Sequence, residues 1–341
     1  MSSDEAVGAR RLPTMSDVAA RAGVSRQLVS LVLRGAPGPS DASRAAVLAA
    51  ATELGFQANA SARLLRQQRT RLIGVLFTAL NSFEARVVER LLERAVERGY
   101  GVVLGPVTPR RTTEVVVREL LGHRVEALAC FNPDPDARAL RQALDLLPVV
   151  WLGERTAETR ADVVRTDDDA GLRLVVDHLV GLGHREIAYA GGLGGTVGPD
   201  RERTYRAAMT AVGLGDLADT VEVGFGEEDG ARAAEILLTR DHLPTAVIGC
   251  SDHCGAGLLA VFARAAVAVP ATVSVTGYDD SDVAALSYHS LTAVRQDVDL
   301  TVDATLDAIT RRLSDPRATP QEVPTRATLT VRTSTGPVRD R

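Results

Sequence analysis

Thr14-Met-Ser-Asp-Val-Ala-Ala-Arg-Ala-Gly-Val-Ser-Arg-Gln-Leu-Val-Ser-Leu-Val-Leu-Arg-Gly35 reads as two short helices joined by a tight turn. Thr14 and Asp17 have the spacing of a capping pair, each side chain reaching toward the other's backbone. Val18, Ala19 and Ala22 give the first helix an apolar face, and Gly23 stops it. Ser25 is placed to cap a second helix over 26–34, with Val29, Val32 and Leu33 turned inward. Gly35-Ala-Pro-Gly-Pro39 breaks that helix. Ser40 or Asp41 opens a third, for which Ala45, Ala46, Val47, Ala49, Ala50 and Leu54 are the buried candidates and Gly55 the stop. The proportions are those of a helix-turn-helix.

In that motif the start of the second helix faces base edges in the major groove. Arg26 and Gln27 hold those positions, and arginine pairs bidentately with guanine as glutamine does with adenine. Ser25 and Ser30 are placed to bond phosphates. The helical pattern alone fits equally a small three-helix packing unit whose Arg26 and Gln27 are ordinary solvated surface.

Charge divides the chain at the same place. Residues 1–71 carry ten arginines against five acidic residues, a balance of +5, while residues 72–341 carry 29 against 39, a balance of −10. A basic head on an acidic body points to a polyanion such as DNA as the partner of the head alone, although charge by itself also fits a solvated surface. All 39 basic residues are arginine, a bias without functional weight. The 341 residues suit two or three domains, and 45% apolar residues can fill a sizeable core. The polar stretch before Thr14 lacks the apolar run of a signal peptide, and no later run reaches membrane-spanning length. Cys130, Cys250 and Cys254 are an odd number in a long chain, which argues against a disulfide framework. The expected setting is reducing and cytoplasmic.

After Arg71 the texture changes. Strands are expected over 72–77, 101–104, 127–131, 149–152 and 163–164, alternating with helices over 83–98, 112–121 and 136–146. A second set repeats the rhythm, with strands over 187–190, 220–223, 246–250 and 273–277 and helices over 170–182, 201–212, 230–238 and 255–265. Residues 313–324 are rich in proline and polar side chains, and a strand over 327–331 closes the body. Alternation of this kind specifies parallel, doubly wound α/β sheets, here two side by side. The fold class is therefore multi-domain, an α head on an α/β body. Ligands of such folds bind outside the carboxyl ends of the strands, so the cleft between the halves is the expected site.

The head also resembles a known family. Thr14-Met-Ser-Asp-Val-Ala-Ala-Arg-Ala-Gly-Val-Ser25 and Val29-Ser-Leu-Val-Leu-Arg-Gly35 are similar to the signature of the LacI/GalR repressors. So are the 44–55 helix, Asn59-Ala-Ser-Ala-Arg-Leu-Leu-Arg66, Ile73-Gly-Val, Leu182-Gly-His-Arg185, Pro244-Thr-Ala246, Val273-Ser-Val-Thr-Gly-Tyr-Asp-Asp280 and Leu291-Thr-Ala-Val-Arg-Gln296. The resemblance runs from about residue 14 to 335. It implies a sequence-specific regulator, expected to be a repressor, that binds a palindromic double-stranded operator as a homodimer or tetramer. A small-molecule effector, expected to be a sugar or related metabolite, binds in a periplasmic-binding-protein-like body. It further implies a tail over 1–13, a head over 14–58, a hinge over 59–71 and a body over 72–335. Within the body, 72–167 with 297–325 form one subdomain, and 168–295 with 326–335 the other.

On this resemblance the head's DNA contacts are Thr14, Ser25, Arg26, Gln27 and Ser30. The hinge folds on DNA and levers Leu65 into the minor groove, with Asn59, Ala62 and Arg63 as neighbouring contacts. An apolar wedge that unstacks a base step is offset by the contacts the bend permits. Without the resemblance, Leu64 and Leu65 also fit interdomain packing. In the cleft the implied effector contacts are Phe83, Arg201, Phe225, Asp252 and Asp279, with Gln296 near the crossover between halves. Read from the residues alone, the two aromatics fit a core equally well, and the two aspartates fit helix caps.

The chain departs from the family pattern at several positions. Leu31 stands where an arginine is usual and Ala58 where a proline is usual. Ser82 and Glu84 replace a proline and a second phenylalanine around Phe83, and Ser251 replaces an asparagine. The last three bear on the ligand. Other chemistries find little support. Cys250-Ser-Asp-His-Cys254 has no second pair to complete a zinc site. Gly191-Gly-Leu-Gly-Gly195 fits neither a dinucleotide fingerprint nor a lysine-bearing phosphate loop. No Ser/His/Asp arrangement has a supporting context. The expectation is a non-enzyme with no cofactor or metal, the alternative being a binding protein of the periplasmic type without operator control.

Overall fold

Caps decide where the helices of the head begin. The computed structural model describes residues 13–56, 69–78 and 81–338, so Ala58 and the hinge candidates Asn59, Ala62, Arg63, Leu64 and Leu65 lie outside the described residues. Helix α1 spans Met15–Ala22, α2 Arg26–Leu33 and α3 Asp41–Glu53. Thr14 Oγ1 accepts from Asp17 N at 3.4 Å while Asp17 Oδ2 accepts from Thr14 N at 2.7 Å, a reciprocal capping box. Ser25 and Ser40 accept from Leu28 N and Ser43 N in the same way. Each such cap contributes about 1 kcal/mol. Gly23, at φ 66°, takes the left-handed turn that lets α2 start with only three residues between it and the end of α1.

The core of the head is Val18 and Ala19 from α1, Val29 and Val32 from α2, and Val47, Ala50 and Ala51 from α3. Val47 and Ala50 were expected there, but Ala45, Ala46 and Ala49 are exposed. The third helix meets the other two along one narrow stripe, and only positions spaced three and four apart share it.

Among the described residues the body has twelve strands. They are β1 Leu72–Thr78, β2 Gly101–Val107, β3 Ala127–Phe131, β4 Val149–Leu152, β5 Asp162–Thr166, β6 Ile187–Gly192, β7 Asp219–Val223, β8 Ala246–Gly249, β9 Ser274–Asp279, β10 Thr292–Gln296, β11 Glu322–Thr325 and β12 Ala327–Thr330. One sheet runs β11-β5-β4-β3-β1-β2 and is parallel throughout. The other runs β12-β10-β9-β8-β6-β7, with only β12 antiparallel to its neighbour. The matching orders 2-1-3-4-5 and 7-6-8-9-10 make each sheet doubly wound with its switch point beside its first strand.

The structure adds β10, β11 and the helix Val298–Ser314 to the elements expected from periodicity. Asp297 caps that helix by accepting from Leu300 N at 3.0 Å, and its Val302, Leu306 and Ile309 are buried on the first sheet. The proline-rich polar run holds β11 because it is an edge strand, where Pro324 removes no ladder bond. Alternation within strands fills both faces of the first sheet, with Ile73 and Val75 on one side and Leu76 and Leu128 on the other. Leu172, Val175, Val176 and Leu179 of the helix Asp168–Gly181 pack into the core of the second sheet.

The chain therefore crosses between sheets three times, after Thr166, Gln296 and Thr325. The crossings are bonded together: Thr166 Oγ1 donates to Gln296 Oε1 at 2.5 Å, and Asp167 N donates to Thr325 O at 2.9 Å. Among the described residues no helix is long and apolar enough to cross a membrane.

Candidate functional site

On the head, the start of α2 is open to solvent. Ser25, Arg26 and Gln27 are all exposed, and Arg26 has no ion-pair partner among the described residues. Ser25 Oγ is engaged as the cap of α2, and Thr14 is engaged in its capping box. Ser30 is half-buried, and its carbonyl accepts from Arg34 Nε at 3.0 Å. Leu31 is half-buried on the same helix. Of the expected contacts, Arg26 and Gln27 have the freest side chains.

In the body a cavity of about 430 Å³ opens at the carboxyl ends of the strands. Its lining comes in turn from the ends of the strands and the segments that follow them: Thr78, Asn81, Ser82, Phe83 and Glu84 at β1, Phe131 and Asn132 at β3, and Gly153 after β4. From the second sheet come Gly194, Gly195, Val197 and Arg201 after β6, Phe225 and Gly226 after β7, Ser251 and His253 after β8, Asp279 at β9 and Gln296 at β10. Both sheets thus meet one space at their switch points, as doubly wound folds require of a ligand site.

Arg201 is fixed from three sides. It is 5% exposed, its Nε donates to Asp168 Oδ1 at 3.1 Å, and its Nη1 donates to Cys250 O at 2.9 Å. Its guanidinium lies 3.8 Å from the centroid of Tyr278 and 6.0 Å from that of Phe225. Tyr278 in turn donates its hydroxyl to Asp168 Oδ1 at 2.5 Å. Burial works against the arginine's charge, but Asp168, Tyr278, Asp279 and Tyr189 together more than offset it, so its pKa is raised.

Asp279 sits on the cavity wall with φ 108°, a conformation that costs a non-glycine residue about 1–3 kcal/mol. Its Oδ1 accepts from Gln296 Nε2 at 2.6 Å, which links it through Gln296 to Thr166 of the other sheet. Burial pushes its carboxyl up to about 6, against the opposing pull of Arg201 and Gln296. The next residue, Asp280, is held by Arg332 at 2.6 Å and Thr330 at 2.9 Å, which anchors the strained backbone.

Glu84 is the other acid of the wall. It lies in the first turn of the helix Ser82–Glu97, where Asn81 Oδ1 caps its backbone N at 3.1 Å. Its carboxylate accepts from Thr78 N at 2.6 Å and Asn132 Nδ2 at 3.3 Å. Burial outweighs these bonds and raises its pKa to about 7. Phe83 belongs to the core of the first sheet, edge-on to Phe131 at 6.3 Å, and reaches the cavity from there.

Asp252 departs from expectation. It is fully buried behind the wall, its Oδ2 accepting from Ser281 N at 2.6 Å, while Ser251 and His253 line the cavity. Ser251 Oγ caps the helix Asp252–Arg264 by accepting from Cys254 N at 3.0 Å, and donates to Phe225 O at 2.6 Å. It thereby positions the aromatic. The Cys250 thiol donates to Gly224 O at 3.2 Å, and Cys254 is buried beside it, packed against Ala190. Gly194 stands at φ 102°, and a Cβ there would lie 2.9 Å from the Phe225 ring.

Phe83, Arg201, Phe225 and Asp279 are thus brought to one cavity and Asp252 is not. Thr78, Asn81, Phe131, Asn132, Gly153 and His253 join them without having been singled out, and Asp168 orients Arg201 from outside the lining. Their common signal is position: each first-sheet residue, and His253, lies at or just beyond the end of a strand. Contacts also span the two halves. Arg86 Nη1 donates to Asp280 O at 2.9 Å, Arg155 Nη2 to Asp169 Oδ2 at 2.8 Å, and the Thr196 hydroxyl bonds Glu154.

Residues 14–59 match the model of the bacterial regulatory proteins of the lacI family, and residues 176–335 match that of a periplasmic binding protein-like domain. The ribose operon repressor of Escherichia coli (strain K12) is 31% identical over 312 residues, 89% of this chain and 94% of that protein. A lac repressor dimer bound to operator and the anti-inducer ONPF superposes with a TM-score of 0.81 at 27% identity, covering 96% of this chain and all of that one. The transcriptional regulator CelR in complex with cellobiose superposes with a TM-score of 0.70 at 29% identity, covering 94% and 99%.

Proposed function

Because the chain belongs to the lacI family of bacterial regulatory proteins, we propose that its head represses transcription from a palindromic operator under the control of a small molecule in the body's cleft. One observation carries the reading. A single chain joins a capped helix-turn-helix, with Arg26 and Gln27 free at the start of its second helix, to a two-sheet body with a cavity of aromatic and charged side chains at the strand ends. The lac repressor structure pairs the same architecture, as a dimer, with operator DNA, and the CelR structure pairs it with cellobiose. Two heads of a dimer would take the two half-sites.

In this reading the head spans 14–58, the hinge 59–71 and the body 72–335, with Leu65 as the minor-groove wedge and Asn59, Ala62 and Arg63 beside it. Thr14, Ser25 and Ser30 contact the backbone of the DNA, and Arg26 and Gln27 read bases. Phe83, Arg201, Phe225 and Asp279 hold a sugar or related metabolite, and the protein is not an enzyme. Effector control needs two arrangements of the body that bind the ligand differently. The contacts between halves and the Asp279–Gln296–Thr166 chain at the crossings are the groups such a change would remake.

The test is a gel shift on fragments carrying the chain's own promoter region. Affinity should fall steeply with salt, as phosphate contacts release counterions. Removing residues 1–70 should abolish it, and unchanged affinity after that truncation would end the proposal. Arg201→Ala should leave operator binding in place and remove the response to effector.

A further inference from the structure

Glu84 and Asp279 face the same cavity from opposite halves of the body, and neither has a cation bonded to it among the described residues. Both are buried, at 2% and 7% exposure. The hydrogen-bond partners of Glu84 are neutral, and the charged groups that act on it, Asp279 and Glu154, are acidic. Glu154, the residue after Gly153, is itself occupied by Trp151 Nε1 and the Thr196 hydroxyl. The guanidinium on the wall, Arg201, acts on Asp279 through space but bonds Asp168. His253 bonds Glu227 at 3.0 Å. The described residues therefore bond no cation to Glu84, at a position where the family pattern has phenylalanine.

A ligand bearing only hydroxyls would leave Glu84 desolvated and without a counter-charge, a condition in which a buried carboxyl stays protonated. An ammonium would convert the same burial into a charge-assisted hydrogen bond. Phe83, Phe131 and Phe225 on the lining add aromatic surface that attracts a cation. A cavity of about 430 Å³ limits the ligand to small-molecule size. We propose that the cleft takes a small hydroxylated molecule carrying a protonated amine, with Glu84 pairing with the amine and Asp279 accepting from hydroxyls. This rests on the cleft being the effector site, and it names the chemical class of the effector.

Matched pairs test it on the full chain by thermal melting at pH 7.5: glucose with glucosamine, galactose with galactosamine, mannose with mannosamine, and glycerol with serinol. At least one amino compound should raise the melting temperature by about 2 °C or more over its neutral partner, as a ligand of the folded state does by mass action. N-acetylation of that compound, which removes its charge on unaltered protein, should remove the gain. Glu84→Gln should weaken its binding by about tenfold or more, the scale of a charged hydrogen bond, and move a neutral sugar far less. Neutral compounds that stabilise as well as their amino partners would overturn the amine while leaving the cleft reading intact. An amino compound whose binding survives Glu84→Gln would overturn the assignment to Glu84. Silence from both classes would remove the proposal together with the cleft as effector site.

Discussion

Replacing Asp168 by Asn tests whether Arg201 is held as the structure describes. The carboxylate side chain is 15% exposed and the guanidinium side chain 6%, so the pair is close to fully desolvated. Breaking such a pair by removing one partner costs about 3–5 kcal/mol, because the remaining charge stays buried without compensation. Asn keeps an acceptor for the Tyr278 hydroxyl, and Arg201 retains Cys250 O and the Tyr278 ring. The expected loss is therefore at the low end, about 3 kcal/mol. For a body of this size that lowers the melting temperature by about 6–10 °C, read by calorimetry on the full chain. Combining Asp168→Asn with Arg201→Met should recover at least half of the loss, since no unpaired cation is left. A single variant melting within about 2 °C of the parent would refute the reasoning, for it would mean that water or another carboxylate reaches Arg201.

Glu84→Gln should change how stability responds to pH. With its folded pKa raised from 4.5 to about 7, the folded state holds a proton that the unfolded chain releases, so stability falls as pH rises across that window and levels off above it. Thr78, Asn132, Asp279 and Glu154 face this group, and Asp279, raised from 3.8 to about 6, steepens the acid part of the fall. The Gln variant should be flatter between pH 5 and 8, and more stable at the alkaline end by up to about 3 kcal/mol; parallel profiles would contradict it. In the head, Ser25→Ala should cost about 1 kcal/mol of stability through the lost cap, measured by urea melts of the N-terminal transition. Arg26→Ala should leave that transition within about 0.5 kcal/mol while weakening operator binding by about 1–3 kcal/mol in a gel shift. Gly194→Ala should cost about 1–2 kcal/mol, from φ 102° and the Phe225 ring, and should weaken any cleft ligand by displacing that ring. An unchanged melting temperature and ligand affinity would count against the loop's close approach to Phe225.

The head was legible because its signals are local. Thr14, Asp17, Gly23 and Ser25 act within one helical turn of themselves, so spacing alone places α1 and α2. The α/β alternation was legible for the same reason, each strand being a short apolar run between turns. Elements whose character depends on their neighbours were not. The polarity of β11 follows from its place at a sheet edge, and the helix Val298–Ser314 is apolar only on the stripe that meets the first sheet. In α3, Ala45, Ala46 and Ala49 are as apolar as Ala50 and Ala51, and only the position of α1 and α2 decides which are covered.

The cleft shows how fine that dependence becomes. Ser251, Asp252 and His253 enter one helix, and successive residues there project about 100° apart. A single step therefore separates Ser251 and His253 on the wall from Asp252 behind it. Motif position locates the turn but not which of the three side chains faces inward. Glu84 is the sharper case. In sequence it is an acid in the first turn of a helix, where the helix terminus favours negative charge and lowers a carboxyl's pKa. In the fold, Thr78 at the end of β1 and Asn132 after β3 converge on the same carboxylate, and the walls they form exclude water from it. Burial then wins over the helix terminus and both hydrogen bonds, and the group is poised near neutrality. The sign of that outcome depends on residues 48 positions apart meeting, which no local pattern encodes.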